Sequence, residues 1–157
     1  MQYSKIIAAP CACGKSFMEK RYHNAIDVET EYSNRAMYGE STKHIVDGTM
    51  YEIPVDLFDV VKESIGKYKY ILIPINKELF YELFANEIKF TVVVPNLDSL
   101  NTWIARFSKR LDNNGFIKYQ CSIWNEVLVH LYENRNRFDN FIILDDNQYL
   151  SDIFPEL

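Results

Sequence analysis

The chain has few of the residues that mark several common protein classes. Its 157 residues include three cysteines, five glycines and five prolines, and no apolar run approaches the roughly 18 residues that span a membrane. Three cysteines do not make a disulfide framework, and the N-terminus lacks the apolar region of a signal peptide. The formal net charge of −5 provides no global basic field for duplex nucleic acid or an anionic membrane. We therefore expect a cytoplasmic protein without a membrane partner or a duplex nucleic-acid partner.

The remaining composition is that of a soluble α/β protein. Hydrophobic residues make up 48% and charged residues 25%, and the length suits one domain, residues 1–157. Short apolar runs alternate with helical patterns, which predicts a mostly parallel sheet covered on both faces. The predicted strands are the run that starts at Tyr3, Ala25–Glu29, Tyr68–Pro74, Phe90–Pro95 and Phe141–Leu144. The predicted helices are Phe17–Tyr22, a helix with Pro54 in its first turn that runs to Ile65, Lys77–Asn86, Leu97–Leu111 and Phe116–Tyr132. Together they predict a three-layer α/β/α fold with a five-stranded sheet.

The first strand leads into a phosphate-loop pattern. The motif G-x-x-x-x-G-K-[ST] matches at Gly14, Lys15 and Ser16, and it fails at its first glycine, where Ala9 stands. Alanine is acceptable there only if its backbone does not need a positive φ. Lys15 would contact the β- and γ-phosphates, and Ser16 would contact Mg²⁺. The predicted nucleotide-binding residues are Pro10, Cys11, Ala12, Cys13, Gly14, Lys15, Ser16 and Phe17. The alternative is a small-residue turn before a helix.

Two carboxylates end the second predicted strand. On a strand, Asp27 and Glu29 would face the same side, because residues two apart share a face. Near a phosphate loop, Asp27 would hold Mg²⁺ and Glu29 would position or deprotonate an acceptor. The alternatives are a solvated strand end and a carboxylate that caps a helix.

The segment Thr30–Glu52 is polar and aperiodic. So long a connection in a compact domain is usually functional or mobile. We predict that this acceptor-site loop, residues 30–53, binds substrate through Tyr32, Ser33, Tyr38 and His44.

A basic helix follows the fourth strand. Arg106 and Arg110 are four residues apart and share a helix face, with Lys109 beside them. The Asp112–Gly115 break would let this lid-like region, residues 97–118, close over a nucleotide, and arginine suits a transferring phosphoryl group. The alternative is a solvated basic face. Trp103 and Trp124 are predicted core residues, and Asp145 and Asp146 are predicted to be exposed acids rather than metal ligands.

Several of these segments together resemble small P-loop nucleoside- and nucleotide-kinase-like proteins, many of them encoded by tailed bacteriophages. The similar segments are residues 9–16, the acidic strand end with Ser33 after it, the run from Ile65 to Pro95, and Arg106, Arg110, residues 113–117 and Trp124. The resemblance implies a P-loop NTPase fold, ATP and Mg²⁺ as cofactors, and catalysis by Lys15, Glu29, Arg106 and Arg110, with Ser16 and Asp27 at the metal. For a phage-encoded chain the location would be the host cytoplasm. The basic segment departs from the Arg-Gly-Asn usual in that family.

The function that this pattern predicts is phosphoryl transfer from ATP to a nucleoside or nucleoside monophosphate. One alternative is a nucleotide-binding regulator or sequestering protein with a weakened kinase site. Another is a kinase acting on the 5′ end of a polynucleotide, through a local groove containing Arg106, Lys109, Arg110 and Lys118. A homodimer is compatible with the sequence, and the acceptor's base is not determined by it.

Overall fold

A computed structural model describes residues 3–10, 13–109 and 114–156 of the chain. It contains a five-stranded sheet in the order β2-β5-β1-β6-β7, with every neighbouring pair parallel, and a separate antiparallel pair of strands, β3 and β4. The strands are β1 (Lys5–Ala8), β2 (Ala25–Asp27), β3 (Ser41–Val46), β4 (Thr49–Pro54), β5 (Tyr70–Ile73), β6 (Thr91–Pro95) and β7 (Asn140–Leu144). The helices are α1 (Lys15–Arg21), α2 (Val28–Met37), α3 (Leu57–Ser64), α4 (Lys77–Ala85), α5 (Leu100–Lys109), α6 (Asn114–Glu133) and α7 (Leu150–Ile153).

The predicted three-layer α/β/α fold and its five-stranded parallel sheet are confirmed. The three inner strands are apolar and almost wholly buried, which is typical of strands covered on both faces. Helices α1 and α7 pack together on one face, where the Tyr22 hydroxyl donates to the Phe154 carbonyl. Helices α3, α4 and α6 cover the other face.

The strand order fixes where a ligand would bind. From the central strand β1 the chain crosses to β2 on one side, whereas from β6 it crosses to β7 on the other side. A crevice opens at the carboxyl ends of parallel strands where the connections diverge in this way. The loop that follows β1 is at that crevice.

The segment between β2 and α3 differs most from the sequence prediction. The predicted strand Ala25–Glu29 ends at Asp27, and the chain then forms helix α2. Asp27 caps this helix, and Glu29 and Glu31 occupy its first turn, where carboxylates are favoured. Helix α2 was missed because only Val28 is buried along it, so it has no apolar stripe for a periodicity to reveal.

The rest of the predicted acceptor-site loop is also regular. Residues 41–54 form the β3–β4 hairpin, with Asp47 and Gly48 both at positive φ (51° and 78°) between the strands. This is the backbone of a type I′ turn, for which Asp-Gly is a strong sequence signal. Pro54 ends β4 rather than starting a helix, and α3 begins three residues later, at Leu57. Asp56 and Asp59 form a capping box there, in which each side chain accepts from the other residue's backbone amide.

The other elements differ from prediction mainly in their ends. The Asn76 side chain accepts from the Leu79 amide at 2.8 Å and caps α4. Gly115 lies within the first turn of α6 rather than in a chain break. Leu128 and Leu131 of α6 are buried, whereas the side chain of Trp124, a predicted core residue, is outside the described part of the structure. Across the described residues, no helix is long and apolar enough to cross a membrane.

Candidate functional site

The loop after β1 begins as an extension of the sheet. The Ala9 amide donates to the Ile73 carbonyl of β5 at 3.1 Å, and its side chain is fully buried. Among the described residues, the non-glycine positions with positive φ are Asp47 and Glu87. Ala9 therefore has an ordinary extended backbone, and a glycine is not required at this position of the motif.

Gly14 is the position of the motif that needs glycine. Its φ is +100°, a left-handed conformation, and α1 begins at the next residue. A β-carbon added to Gly14 would lie 3.3 Å from both Cβ and Cδ1 of Tyr149. Both the backbone conformation and the contact with Tyr149 therefore disfavour larger residues.

The Lys15 side chain folds back over the loop. Its Nζ donates to the Ala9 carbonyl at 2.6 Å, so the ammonium is at the carboxyl end of β1 and points into the bend of the loop. A single carbonyl leaves the ammonium with donors to spare, and a polyphosphate is a stronger acceptor for them.

The other predicted nucleotide-binding residues differ in their exposure. Ser16 and Phe17 are exposed, and Pro10 is half-buried. Cys13 is buried, and its carbonyl accepts from the Leu150 amide at 2.9 Å. Cys11 and Ala12 lie outside the described residues.

Asp27 and Glu29 do not share a strand face, contrary to the sequence prediction. Asp27 ends β2 with its side chain buried, and its Oδ1 accepts from the Glu29 amide at 3.2 Å. Glu29 is exposed on the first turn of α2. The helix-capping alternative thus describes part of the role of Asp27, and both carboxylates remain at the carboxyl edge of the sheet. Asp27 lies level with Ile7 of β1, through Leu72 of the intervening strand, so the two chains are about 10 Å apart.

A third carboxylate, Glu19, lies beside Asp27 and was not predicted from the sequence. Burial, and then the charge of Asp27, raise the pKa of Glu19 above its usual value. Ser16 and Glu19 are three residues apart on α1, so the spacing places the hydroxyl and this carboxylate on one helix face. The three-residue spacing of Ser16 and Glu19 was the signal available in the sequence. It indicates a carboxylate beside Asp27 only because α1 packs against β2.

These residues fit a magnesium ion that arrives with phosphates rather than a resident metal. Within residues 3–10, 13–109 and 114–156 no group of three or more histidine, cysteine, aspartate or glutamate residues is arranged to hold a metal. Mg²⁺ in phosphate sites takes one or two carboxylates and completes its shell with phosphate oxygens and water. Ser16 and Asp27 would be its protein ligands, and two adjacent carboxylates leave a negative charge for a cation to offset.

The predicted acceptor residues lie on α2 and on the hairpin. Tyr32 is half-buried against the core, and Ser33 is exposed next to it. Tyr38 is 86% exposed at the end of α2, about 15 Å along the helix from Asp27. His44 is exposed on β3 with its Nε2 2.8 Å from the Thr42 hydroxyl. The helix therefore keeps Tyr32 and Ser33 nearer the acidic end and separates Tyr38 from it.

Arg106 is not on a solvated face. It is 7% exposed, and its Nη2 donates to the carbonyls of Asp146 and Gln148 at 2.9 Å each. Trp103, which is buried as predicted, and Tyr149 lie on the guanidinium, with ring centres 4.3 and 3.8 Å from its central carbon. These contacts keep Arg106 in the body of the protein. Lys109 is exposed, and Arg110 lies outside the described residues.

Asp145 and Asp146, at the end of β7, are exposed as predicted. The Asp146 carboxylate accepts from the Ser99 hydroxyl, and the Asp145 amide donates to the Gln148 side chain at 2.9 Å. These bonds shape the turn between β7 and α7 and leave the two acids in solvent.

A cavity of about 490 Å³ lies between α4 and α6. Its lining includes Ile75, Phe80, Phe84, Leu131 and Phe138, and none of the predicted site residues. The candidate site is therefore the open crevice at the sheet edge rather than this cavity.

Comparisons with known proteins identify a similar solved structure, but they do not assign the chain to a family. No protein-family model matches the chain, and no curated protein sequence matches it. Among solved structures, the chain is similar to the guanylate kinase of Anaplasma phagocytophilum, with 11% sequence identity and a TM-score of 0.39. That alignment covers 97% of this chain and 80% of the guanylate kinase. At a similarity this low the fold assignment rests on the sheet order itself.

Proposed function

We propose that the chain binds the polyphosphate of ATP at the loop after β1 and transfers the γ-phosphoryl group to a nucleoside or nucleoside monophosphate. The observation that supports this most directly is the Lys15 ammonium, held over its own loop by the Ala9 carbonyl at the carboxyl end of the central strand. A lysine ammonium is a compact cation that binds phosphate oxygens well, and this one lies where the connections from β1 and β6 run to opposite sides of the sheet.

The acceptor would bind beside the acidic end of β2. Helix α2 and the hairpin, which cover residues 30–53, lie between the second and third strands of the main sheet in chain order and carry Tyr32, Ser33, Tyr38 and His44. Asp27 ends β2 and caps α2, and Glu29 lies in the first turn of that helix. They would orient a hydroxyl or phosphate oxygen toward the γ-phosphorus.

The proposed transfer step uses these residues. An acceptor oxygen attacks the γ-phosphorus, the bond from that phosphorus to the β,γ-bridging oxygen breaks, and ADP leaves with the electron pair. If the acceptor is a hydroxyl, its proton passes to the Glu29 carboxylate, whereas a phosphate acceptor needs no base. Lys15 stabilises the negative charge on the transferring group, and Arg110 is the remaining candidate for that role now that Arg106 is buried. Mg²⁺, bound with ATP, would neutralise phosphate charge.

Substitution of Lys15 tests the proposal. We expect Lys15→Ala to lower ADP production from ATP and an acceptor by at least about 100-fold, since loss of one preorganised charged group costs that much in comparable sites. Lys20→Ala is the matched control, because Lys20 is an exposed lysine on the same helix. Circular dichroism and thermal unfolding show whether each variant is folded. Unchanged ATP turnover in a folded Lys15→Ala protein would rule out the assignment.

A nucleotide-binding regulator is the second candidate. The burial of Arg106 favours it, because one of the two predicted phosphate-stabilising arginines is committed to protein contacts. A regulator would show a thermal shift with Mg²⁺ and nucleotide but no transfer to a panel of nucleosides, nucleotides and a 5′-hydroxyl oligonucleotide. A ligand at 100 times its dissociation constant adds about 2.7 kcal/mol to the free energy of unfolding, which is a readily measured shift.

A further inference from the structure

The turn that joins β7 to α7, residues 145–149, lies against the phosphate loop. The Leu150 amide, just after this turn, donates to the Cys13 carbonyl at 2.9 Å. The Tyr149 side chain packs on Gly14 so closely that a β-carbon would lie 3.3 Å from it. Two successive residues of the C-terminal segment therefore contact two successive residues of the phosphate loop.

Arg106 in turn shapes this segment. Its guanidinium donates to two carbonyls of the turn, those of Asp146 and Gln148, and it also contacts the Tyr149 and Trp103 rings. The Tyr149 side chain therefore contacts both Arg106 and Gly14. A planar group with several donors is needed to make both kinds of contact at once, which arginine provides and lysine does not.

We propose that Arg106 is a positioning residue that fixes the conformation of the phosphate loop through Tyr149, rather than a residue that contacts the transferring phosphates. Arg106 holds the turn by its two carbonyl bonds, the turn holds Tyr149, and Tyr149 confines Gly14 to its left-handed conformation. The effect of these contacts on phosphate binding rests on the proposed function. The contacts from Arg106 through Tyr149 to Gly14 do not depend on it.

The contacts from Arg106 through Tyr149 to Gly14 predict which amides become less protected when Arg106 is replaced. Hydrogen exchange of the nucleotide-free protein measures this directly. In Arg106→Met we expect faster exchange of the amides of residues 13–18, with no change for Tyr70–Ile73 of β5. Arg35→Met is the matched control, since Arg35 joins α2 to Glu63 of α3 in ion pairs remote from the loop, and it should accelerate residues 35–40 instead.

Two results would overturn the proposal. One is faster exchange in residues 145–150 of Arg106→Met with residues 13–18 unchanged, which would make Arg106 a local support of the turn. The other is an equal acceleration of all amides, which would make its role one of general stability. If Arg106→Met does not fold, Arg106→Lys replaces it, because lysine keeps the charge and the apolar stem but loses the planar stacking.

A double-mutant cycle with Tyr149 tests the route of the coupling. We expect Arg106→Met and Tyr149→Leu each to weaken binding of Mg²⁺–ATP by about fivefold or more, at the lower end of couplings between sites. The double variant should bind about as well as either single variant, since both changes interrupt one path. Fully additive losses would overturn the route through Tyr149. If the wild-type protein binds no ATP, the proposed function fails, and the exchange experiment still decides whether Arg106 controls the loop.

Discussion

Gly14 illustrates how one residue meets two separate demands. Its φ of +100° suits glycine, and the neighbouring Tyr149 side chain leaves little room for a β-carbon. The first demand was predictable from the motif, whereas the second depends on a residue 135 positions later in the chain (149 − 14 = 135). Arg106 is a second case in which the local sequence predicted only part of the environment. Its four-residue spacing from Arg110 did not indicate that it would contact the Trp103 and Tyr149 rings.

A pair of glycine substitutions separates these two demands. We expect Gly14→Ala to reduce the free energy of unfolding by more than the roughly 1–2 kcal/mol that left-handed backbone costs a residue with a β-carbon. Gly66→Ala is the control, since Gly66 has a similar φ of +86° and nothing within 4 Å of an added β-carbon. Urea unfolding measures both. Equal losses in the two variants would show that the contact with Tyr149 adds nothing.

At the scale of elements, the β3–β4 hairpin is the least supported part of the chain. Both of its strands are exposed along almost their whole length. Among the described strands, β3 and β4 pair only with each other. A two-stranded hairpin without a packed face is marginally stable in water. Apolar side chains such as Ile45, Met50 and Ile53 are nevertheless exposed on it, which suits a surface that a bound acceptor would cover.

This predicts uneven protection along the chain. In native-state hydrogen exchange, the amides of Ser41–Pro54 should exchange through local opening at a much lower free energy than those of β5, whose four residues are buried. Binding of an acceptor should slow exchange in the hairpin. Protection of the hairpin equal to that of Tyr70–Ile73 in the free protein would contradict this prediction.

At the scale of the whole molecule, the C-terminal segment closes the face of the sheet that α1 covers. The Tyr70 hydroxyl of β5 donates to the Pro155 carbonyl at 2.7 Å, and the Tyr22 hydroxyl of α1's end donates to the Phe154 carbonyl at 2.9 Å. The Tyr70 ring meets those of Tyr22 and Phe154 at 6.1 and 5.9 Å between centres. Two tyrosines thus anchor the end of the chain to the sheet.

Removal of the Tyr70 hydroxyl should weaken the attachment of the C-terminal segment to the sheet. It should also change how the free energy of unfolding depends on alkaline pH. Tyr70→Phe should lose about 0.5–1.5 kcal/mol at pH 7, the usual value of one hydrogen bond. Burial, and then the neighbouring Tyr22, raise the pKa of Tyr70 above 10.0, so the unfolded chain loses this proton first. The wild-type protein should therefore lose stability as the pH rises above about 10, and Tyr70→Phe should lose less.

Unfolding by urea at pH 7 and pH 10.5 checks this prediction. Tyr81→Phe is the control, because Tyr81 is 75% exposed and lies outside the anchor. An identical alkaline loss in Tyr70→Phe and the wild-type protein would show that Tyr70 does not carry the effect.

The sequence by itself determined the sheet, its five strands and the position of the loop that carries the Gly14-Lys15-Ser16 motif. These follow from local signals, namely continuous apolar runs, capping residues such as Asn76, and a motif whose residues are adjacent in the chain. The tertiary structure alone decided that Glu19 lies beside Asp27 and that Arg106 is buried under Tyr149. Such pairs are brought together by packing between elements distant in sequence, and one sequence contains no local pattern that records that packing.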